Sequence, residues 1–211
     1  MINLDGIKNI FFDLGGVLIN LDKGRCLNEF QKLGIQKIEE QIGRGLKSCL
    51  FRRFEKGIIT ADEFRNEIRQ MTNKQLTDNE IDYAWNSFLL DISPSKLDIL
   101  LKLQKHYRVF MLSNTNQIHF EYEKSHNFNV KKGFSIDDYF EKCYLSYKLH
   151  LSEPDKAIFE AVIKDSGVLP HESLFLDDNL QNIESAQSLG FHIYWVAENE
   201  DFTEKLRGIK L

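Results

Sequence analysis

An apolar segment near the amino terminus ends in one carboxylate and two glycines. Residues 8–20 read KNIFFDLGGVLIN, and a short apolar run that ends in turn residues is typical of a strand in a parallel sheet covered on both faces. Ligands of open α/β sheets bind beyond the carboxyl ends of such strands. Asp13 is predicted at that edge, where Gly15 and Gly16 let the backbone turn sharply. Because a charge there is unfavourable unless paired or metal-bound, Asp13 is a functional candidate; the alternative is a simple Asp-x-Gly-Gly turn.

The composition excludes several classes of protein. The net charge of −5 and the pI near 5.7 argue against a nucleic-acid or anionic-membrane partner. No apolar run approaches the roughly 18 residues of a membrane helix, and Asp13 interrupts the segment that a signal peptide would need. The six histidines are scattered, without the spacing of a zinc site. The three cysteines are also far apart, which predicts reduced thiols in a cytoplasmic protein: Cys26, Cys49 and Cys143.

A helical insertion follows the first strand. Apolar residues recur at helical spacing with no strand signal between them. Two of the segments open with capping boxes, Thr60 with Glu63 and Thr77 with Glu80. The four helical segments are residues 26–33, a basic stretch at 43–56, 60–71 and 77–88. The chain at 211 residues suits a domain with an insertion. The predicted division is a core of residues 1–19 and 92–211, with an inserted helical domain at 20–91.

The rest of the chain alternates between strands and helices. Ser93-Pro94 is an N-cap with proline at the first helical position. Buried strands are predicted at residues 108–112, 143–146, 174–176 and 192–196, helices after Ser93 and at 155–166 and 182–189, and a mixture of helix and loop at 121–140. This alternation predicts an α/β fold, a doubly wound parallel sheet with right-handed crossovers.

Polar side chains stand at three of the predicted strand ends. Asp13, Ser113 and the pair Asp177/Asp178 follow separate strands, and the carboxyl ends of parallel strands share one edge of the sheet. Crowded carboxylates repel one another, and a hard divalent cation removes that repulsion. Oxygen ligands without histidine favour Mg²⁺ over zinc. The alternative for Asp177 and Asp178 is a helix N-cap with a second acid beside it.

These motifs resemble those of a known family. Asp13-Leu-Gly-Gly-Val, Ser113-Asn-Thr-Asn and the segment DDNLQN at residues 177–182 are similar to motifs one, two and four of the haloacid dehalogenase (HAD) superfamily of phosphohydrolases. The resemblance implies a HAD-like Rossmannoid core, with the inserted helices where some subfamilies carry a helical cap. Within the superfamily the chain most resembles sugar-phosphate phosphatases with Asp-Leu-Gly in the first motif.

The resemblance implies a nucleophile and a metal site. Asp13 would attack phosphorus and form an aspartyl-phosphate that water later hydrolyses. Mg²⁺ would be held by the Asp13 side chain, the Gly15 carbonyl and Asp178, with Asp177 acting through water. The ion is needed because Asp13 and the phosphate are both anionic.

The resemblance also implies groups that bind the phosphate. Ser113 and the amide of Asn114 would hydrogen-bond the phosphoryl oxygens, and Gly16 would line the same substrate site. Asn182 would orient the loop that holds the metal.

The chain departs from the family pattern at two positions. The general acid and base of related phosphatases stands two residues after the nucleophile, where this chain has Gly15. The third motif places a lysine before a proline, where this chain has Glu153 before Pro154. A negative charge beside a phosphate is unfavourable. Lys148 is the predicted catalytic replacement for that lysine; the alternative is a solvated surface lysine.

The predicted function is therefore that of a Mg²⁺-dependent phosphatase acting on a small phosphorylated metabolite. The alternative is a catalytically impaired relative that binds a phosphorylated ligand or a protein partner, which Gly15 and Glu153 favour. Hydrolysis of a carbon–halogen bond fits less well, because that reaction has no use for a metal-binding pair of aspartates. A response-regulator receiver domain also gathers acids at strand ends, but it is far shorter and has no inserted bundle.

Overall fold

A five-stranded parallel sheet forms the centre of the molecule. The computed structural model describes residues 2–35, 38, 50–197 and 200–206. The strands are β1 (Asn9–Phe12), β2 (Ile19–Leu21), β3 (Leu89–Ile92), β4 (Arg108–Ser113), β5 (Lys142–Leu145), β6 (Ser173–Asp177) and β7 (His192–Trp195). The main sheet has the order β5-β4-β1-β6-β7, and each neighbouring pair is parallel. The predicted α/β fold is confirmed.

Helices cover both faces of this sheet and form the insertion. They are α1 (Lys23–Lys32), α2 (Leu50–Glu55), α3 (Ala61–Gln70), α4 (Asp78–Asn86), α5 (Pro94–Leu103), α6 (Gln117–His126), α7 (Ser146–Leu149), α8 (Lys156–Ser166), α9 (Leu180–Ser188) and α10 (Thr203–Leu206). Short 3₁₀ turns span Ile136–Asp138 and Pro170–Glu172. Residues 43–49 of the predicted basic stretch, including Cys49, lie outside the described residues. No helix in the described ranges is long and apolar enough to cross a membrane.

The central strand β1 is buried on both faces because its side chains alternate between two hydrophobic clusters. Phe11 is in register with Phe110 and Phe175, and these residues belong to the cluster that includes side chains of α8 and α9. Phe12 faces the other way, into the cluster that includes leucines of α5. Burial on both faces explains why the strand is a continuous apolar run, and it fixes Asp13 at the edge where the run ends.

The inserted helices have a hydrophobic cluster of their own. It contains buried aromatic residues from each of the helices α1 to α4, among them Phe30, Phe51, Phe64 and Trp85. Both predicted capping boxes are present: Thr60 accepts from the amide of Glu63, and Thr77 from that of Glu80. Helices α3 and α4 therefore begin where the sequence predicts. The assignment of residues 20–91 as a separate domain stays a prediction.

A two-stranded ribbon joins the insertion to the core. β2 and β3 pair antiparallel, with Ile19 opposite Ile92 and Leu21 opposite Leu89. The two segments that connect the helices with the sheet are thereby held side by side. The sequence did not predict these strands, because runs of three and four residues are too short to show strand periodicity.

Candidate active site

Asp13 lies at the carboxyl end of β1, almost completely buried. Its backbone amide donates to the Leu176 carbonyl at 3.0 Å, which continues the pairing of β1 with β6 and fixes the start of the loop. Burial and the nearby charge of Asp177 raise the pKa of the Asp13 carboxyl well above its usual range. A hydrogen bond from Ser113 lowers this pKa but does not offset the two raising effects. The carboxyl group therefore sits where a cation would stabilise its charged form.

Asp177 ends β6 and is held by two donors. The Asn179 amide donates to its Oδ1 at 2.6 Å, and the Asn182 side chain donates to its Oδ2 at 3.0 Å. Burial raises the pKa of Asp177 to about 6 in spite of these hydrogen bonds. The N-cap of α9 is Asn179, which accepts from the amide of Gln181. The capping alternative for the aspartate pair is therefore not what the structure shows.

Asp13, Asp177 and Asp178 form one carboxylate cluster. One oxygen from each lies within 4.8 Å of the others, with Asp178 exposed and the other two buried. The predicted convergence of the strand ends is thus seen in the structure. Three oxygen ligands of like charge at this spacing fit a hard divalent cation such as Mg²⁺. Among the residues that the structure describes, no histidine or cysteine belongs to the cluster.

The two glycines after Asp13 shape the loop beside this cluster. The Leu14 carbonyl accepts from the amides of Leu18 and Ile19, and the Gly16 amide donates to the Ile19 carbonyl at 2.8 Å. Gly16 has a φ of +78°, and a Cβ atom added to it would lie 2.2 Å from Oδ2 of Asp178. Only glycine leaves that space free, so Gly16 allows Asp178 to approach the loop. The predicted contribution of Gly16 to substrate binding stays a prediction.

The loop after β4 carries Ser113 and Asn114. Ser113 is buried, and a hydrogen bond from its side chain lowers the pKa of the Asp13 carboxyl. The predicted hydrogen bond from Ser113 to the phosphoryl oxygens stays a prediction. The Asn114 side chain donates to the Glu153 carbonyl and accepts from the Glu153 amide, both at 3.0 Å. Asn114 thus fixes the backbone of residue 153 against the β4 loop. Sequence reasoning assigned only the backbone amide of Asn114 and missed this use of its side chain.

Glu153 points into the core beside the carboxylate cluster. Glu153 is only 3% exposed, and neither of its carboxylate oxygens has a hydrogen-bond partner among the described residues. Burial, followed by the charges of Asp13 and Asp177, raises the pKa of Glu153 well above its usual range. The departure noted in the third motif therefore places a buried acid close enough to Asp13 and Asp177 for their charges to act on it, although it is not one of the three clustered carboxylates.

Two hydrogen-bonded contacts tie the inserted helices to this edge of the sheet. The Ser146 hydroxyl donates to the Glu55 carbonyl at 2.6 Å and accepts from the Thr115 amide. Trp85 of α4 donates to the Asn116 side chain at 3.3 Å. No sequence pattern predicts these pairs, since the partners are 31 or more residues apart.

His119 completes the contact around Trp85. Its ring stacks on the Trp85 ring at 4.3 Å between centroids, and its Nε2 lies 3.2 Å from the Trp85 carbonyl. Burial lowers the pKa of His119 to about 3, so the imidazole is neutral at pH 7. A neutral, stacked ring identifies His119 as part of the packing between α4 and α6.

A family model and several relatives match this chain. The model for haloacid dehalogenase-like hydrolases matches residues 7–190. The chain belongs to the haloacid dehalogenase-like hydrolases. A D-ribitol-5-phosphate phosphatase from Bacteroides thetaiotaomicron is 36% identical over 200 residues, which are 95% of this chain and 97% of the relative. The family resemblance predicted from the three motifs is confirmed.

Solved structures of HAD-like proteins share the fold over nearly the whole chain. A HAD family enzyme from Bacteroides thetaiotaomicron, crystallised with magnesium and inorganic phosphate, has a TM-score of 0.91 and 47% identity, covering 95% of this chain and 100% of the other. A predicted HAD-like family hydrolase from Porphyromonas gingivalis has a TM-score of 0.88 and 36% identity, covering 96% of this chain and 97% of the other. The likeness therefore includes the inserted helices as well as the sheet.

In the present chain, the predicted catalytic residue Lys148 is exposed on α7. Its Nζ is 5.4 Å from the centre of the Phe120 ring and 5.8 Å from that of Tyr147. Such contacts between an ammonium group and aromatic rings are attractive by themselves. The assignment of Lys148 to catalysis stays a prediction.

A cavity of about 430 Å³ opens between helices α3, α4 and α6 of the present chain. Arg65 lines it and is held by Asp82 and Asp62, each at 2.8 Å. Gln117 and Tyr122 line the side formed by α6. None of the carboxylates of the Asp13 cluster lines this cavity, so it is separate from the candidate active site.

Proposed function

We propose that this protein is a magnesium-dependent phosphatase that hydrolyses a small sugar or sugar-alcohol phosphate. The observation that carries the proposal is the carboxylate cluster of Asp13, Asp177 and Asp178 at the end of the buried strands. The phosphatase among the relatives and the related enzyme crystallised with magnesium and phosphate support it. The protein is further proposed to act in the cytoplasm, without a nucleic-acid or membrane partner.

The proposed metal site uses the residues of the cluster. Asp13, Asp178 and the carbonyl of Gly15 would hold Mg²⁺ directly, and Asp177 would act through water. When bound, the ion offsets the negative charges of Asp13 and the phosphate. The two donors to Asp177 hold its carboxylate in one orientation toward this site.

The protein's own groups perform the proposed chemistry. A carboxylate oxygen of Asp13 attacks phosphorus as the ester oxygen departs, which leaves an aspartyl-phosphate for water to hydrolyse. The Ser113 hydroxyl and the Asn114 amide would donate hydrogen bonds to the phosphoryl oxygens. Asn182 holds Asp177, and Gly16 provides the space for Asp178.

The inserted helices of residues 20–91 are proposed to act as the cap over this site. Their contacts through Ser146 and Asn116 reach the segments that directly follow β5 and β4. A cap in this position would exclude bulk water from the phosphate and select the organic part of the substrate.

Hydrolysis assays with purified protein test the proposal. We expect release of phosphate from p-nitrophenyl phosphate and from ribitol 5-phosphate with Mg²⁺ present, and none after chelation with EDTA. A protein that only binds phosphorylated ligands would show no turnover of either ester under these conditions. That alternative is disfavoured, because the chain retains the complete carboxylate cluster and its relative is a phosphatase.

Replacing Asp178 with alanine is expected to weaken Mg²⁺ binding by about 10- to 100-fold, because one of the two proposed carboxylate ligands that bind the ion directly is lost. Isothermal titration calorimetry measures this change. Glu172→Ala is a suitable control, because Glu172 bonds Lys8 at 2.6 Å outside the cluster. If Asp178→Ala bound Mg²⁺ as tightly as the wild type, the ion would have to bind elsewhere.

With Gly15 in place of a general acid, turnover is expected to fall steeply as the pKa of the leaving group rises. Aryl and anomeric sugar phosphates should therefore react faster than primary alkyl phosphates. Gly15→Asp should flatten this dependence and Gly15→Ala should not. The three heavy atoms nearest to a Cβ atom added at this position belong to the flexible Leu21 side chain, the first at 3.1 Å, so both variants are sterically feasible. If turnover by the wild type did not depend on the pKa of the leaving group, another group would have to donate the proton to it.

A further inference from the structure

Lys96 on the helix α5 is buried, which is rare for a lysine. The residue is 6% exposed, and lysine is almost never buried to this extent unless its charge has a partner. Its Nζ donates to the Val17 carbonyl at 2.6 Å, across 79 positions of the chain. A hydrogen bond from a charged donor is stronger than one between neutral groups. The contact is therefore a strong link between α5 and the loop that follows Asp13.

The Val17 carbonyl depends on this donor. Backbone hydrogen bonds to the carbonyls of Leu14 and Ile19 close the loop on itself. Among the described residues, no backbone amide donates to the Val17 carbonyl. Val17 is also 0% exposed, so bulk water does not take the place of a donor. A buried carbonyl without a partner is unfavourable, and Lys96 supplies the partner that the loop lacks.

The ammonium group has further interactions that do not involve this loop. Its Nζ lies 5.7 Å from the centre of the Phe202 ring, an attractive contact. That ring packs on Phe12 of β1 at 5.5 Å between centroids. Burial lowers the pKa of Lys96, and the charge of Asp201 opposes that change. The lysine is thus held by α5 and by the segment before α10, and it anchors the loop to both.

The position of the loop matters because Gly16, next to Val17, lies very close to Asp178. A Cβ atom on Gly16 would lie 2.2 Å from Oδ2 of Asp178, so a shift of the backbone in that direction would displace the carboxylate. Gly15, on the other side of Gly16, has the carbonyl that we propose as a ligand of Mg²⁺. A change at the Val17 carbonyl would therefore reach two proposed metal ligands.

We propose that Lys96 is a positioning residue for the metal site, on which it acts through the Val17 carbonyl. The inference rests on the proposed phosphatase function. By holding the loop, Lys96 keeps the Gly15 carbonyl and the Asp178 carboxylate in the arrangement that binds the ion. Mg²⁺ requires nearly ideal octahedral geometry, so its affinity is sensitive to small displacements of these ligands. Lys96 itself is not a ligand.

Lys96→Met tests the proposal, because it keeps the length of the side chain and removes the donor. Calorimetric titration is expected to show that Mg²⁺ affinity falls by about 10- to 100-fold, as it does when groups that orient metal ligands are lost. The kcat for p-nitrophenyl phosphate should return close to the wild-type value at saturating Mg²⁺, because Lys96 takes no part in the chemistry. Lys96→Arg keeps a charged donor and should lose less affinity than Lys96→Met.

Leu103→Ala is the matched control for lost stability. Leu103 is fully buried on the same helix, about two turns further along. Its truncation weakens the packing of α5 but leaves the hydrogen bond from Lys96 to Val17 in place. Urea unfolding compares the stability of the variants, and Leu103→Ala should bind Mg²⁺ as tightly as the wild type.

The other outcomes each have a definite meaning. Unchanged Mg²⁺ affinity in a folded Lys96→Met protein overturns the inference and leaves the proposed function standing. If Leu103→Ala lost as much affinity, general loss of stability would be the cause and the inference would be wrong. Lys96→Gln, whose amide ends one bond short of the lysine nitrogen, replaces Lys96→Met if that variant does not fold. Absence of both Mg²⁺ binding and phosphatase activity in the wild type overturns the proposed function, and this inference with it.

Discussion

Replacing Asp13 with asparagine is expected to lower phosphatase turnover by about 10⁴-fold or more, because an amide cannot form the acyl-phosphate bond. The side chain keeps its size, so the loop after β1 should keep its conformation. The assay is kcat for p-nitrophenyl phosphate at saturating Mg²⁺. If the Asp13→Asn variant turned over p-nitrophenyl phosphate clearly faster than the uncatalysed background, the assignment of Asp13 as the nucleophile would be wrong.

The same substitution should raise thermal stability when Mg²⁺ is absent. Burial and the Asp177 charge raise the pKa of Asp13 in the folded protein, so above the unfolded pKa its ionisation disfavours folding. Asparagine removes that unfavourable contribution at pH 7. Asp165→Asn is the control, because Asp165 is a surface partner of Lys142 at 2.7 Å and should leave turnover unchanged. A lower melting temperature for Asp13→Asn than for wild type without Mg²⁺ would contradict the electrostatic account.

The inner strands of the main sheet could be predicted because β1, β4 and β6 are short, largely buried runs with a definite end. Phe11 and Phe12 face opposite clusters, and burial on both faces produces a signal that needs no tertiary information. The ribbon of β2 and β3 lacks that signal. Leu21 at its end is exposed, and the pairing depends on two segments that are about 70 residues apart meeting in space.

The carboxylate cluster was predictable for a different reason. In a parallel sheet, topology alone places the residues after β1 and β6 at one edge, and Asp13 and Asp177 meet there as expected. The position of Glu153 could not be inferred in this way. Sequence shows that its charge is unusual, whereas its burial depends on the two hydrogen bonds by which Asn114 holds the backbone of residue 153.

Replacing Gly16 with alanine is expected to lower kcat/KM by about 100-fold or more, since displacing a catalytic group by an ångström has effects of that size. The added Cβ atom would lie 2.2 Å from Oδ2 of Asp178 and 2.5 Å from its Cγ, so the carboxylate must move. Mg²⁺ affinity should fall in parallel, because Asp178 is a proposed ligand. Calorimetric titration with Mg²⁺ and steady-state kinetics measure the two effects.

Gly6 provides a matched control for the backbone strain in this variant. Its φ of +76° is close to the +78° of Gly16, but a Cβ atom at Gly6 would meet nothing within 4 Å. Both alanine variants should lose stability to urea by about 1–2 kcal/mol through strain in the left-handed region. Only Gly16→Ala should also lose Mg²⁺ affinity and turnover. If Gly16→Ala matched Gly6→Ala in both, Asp178 would be free to move aside without harm, and its carboxylate could not be a ligand fixed by the glycine loop.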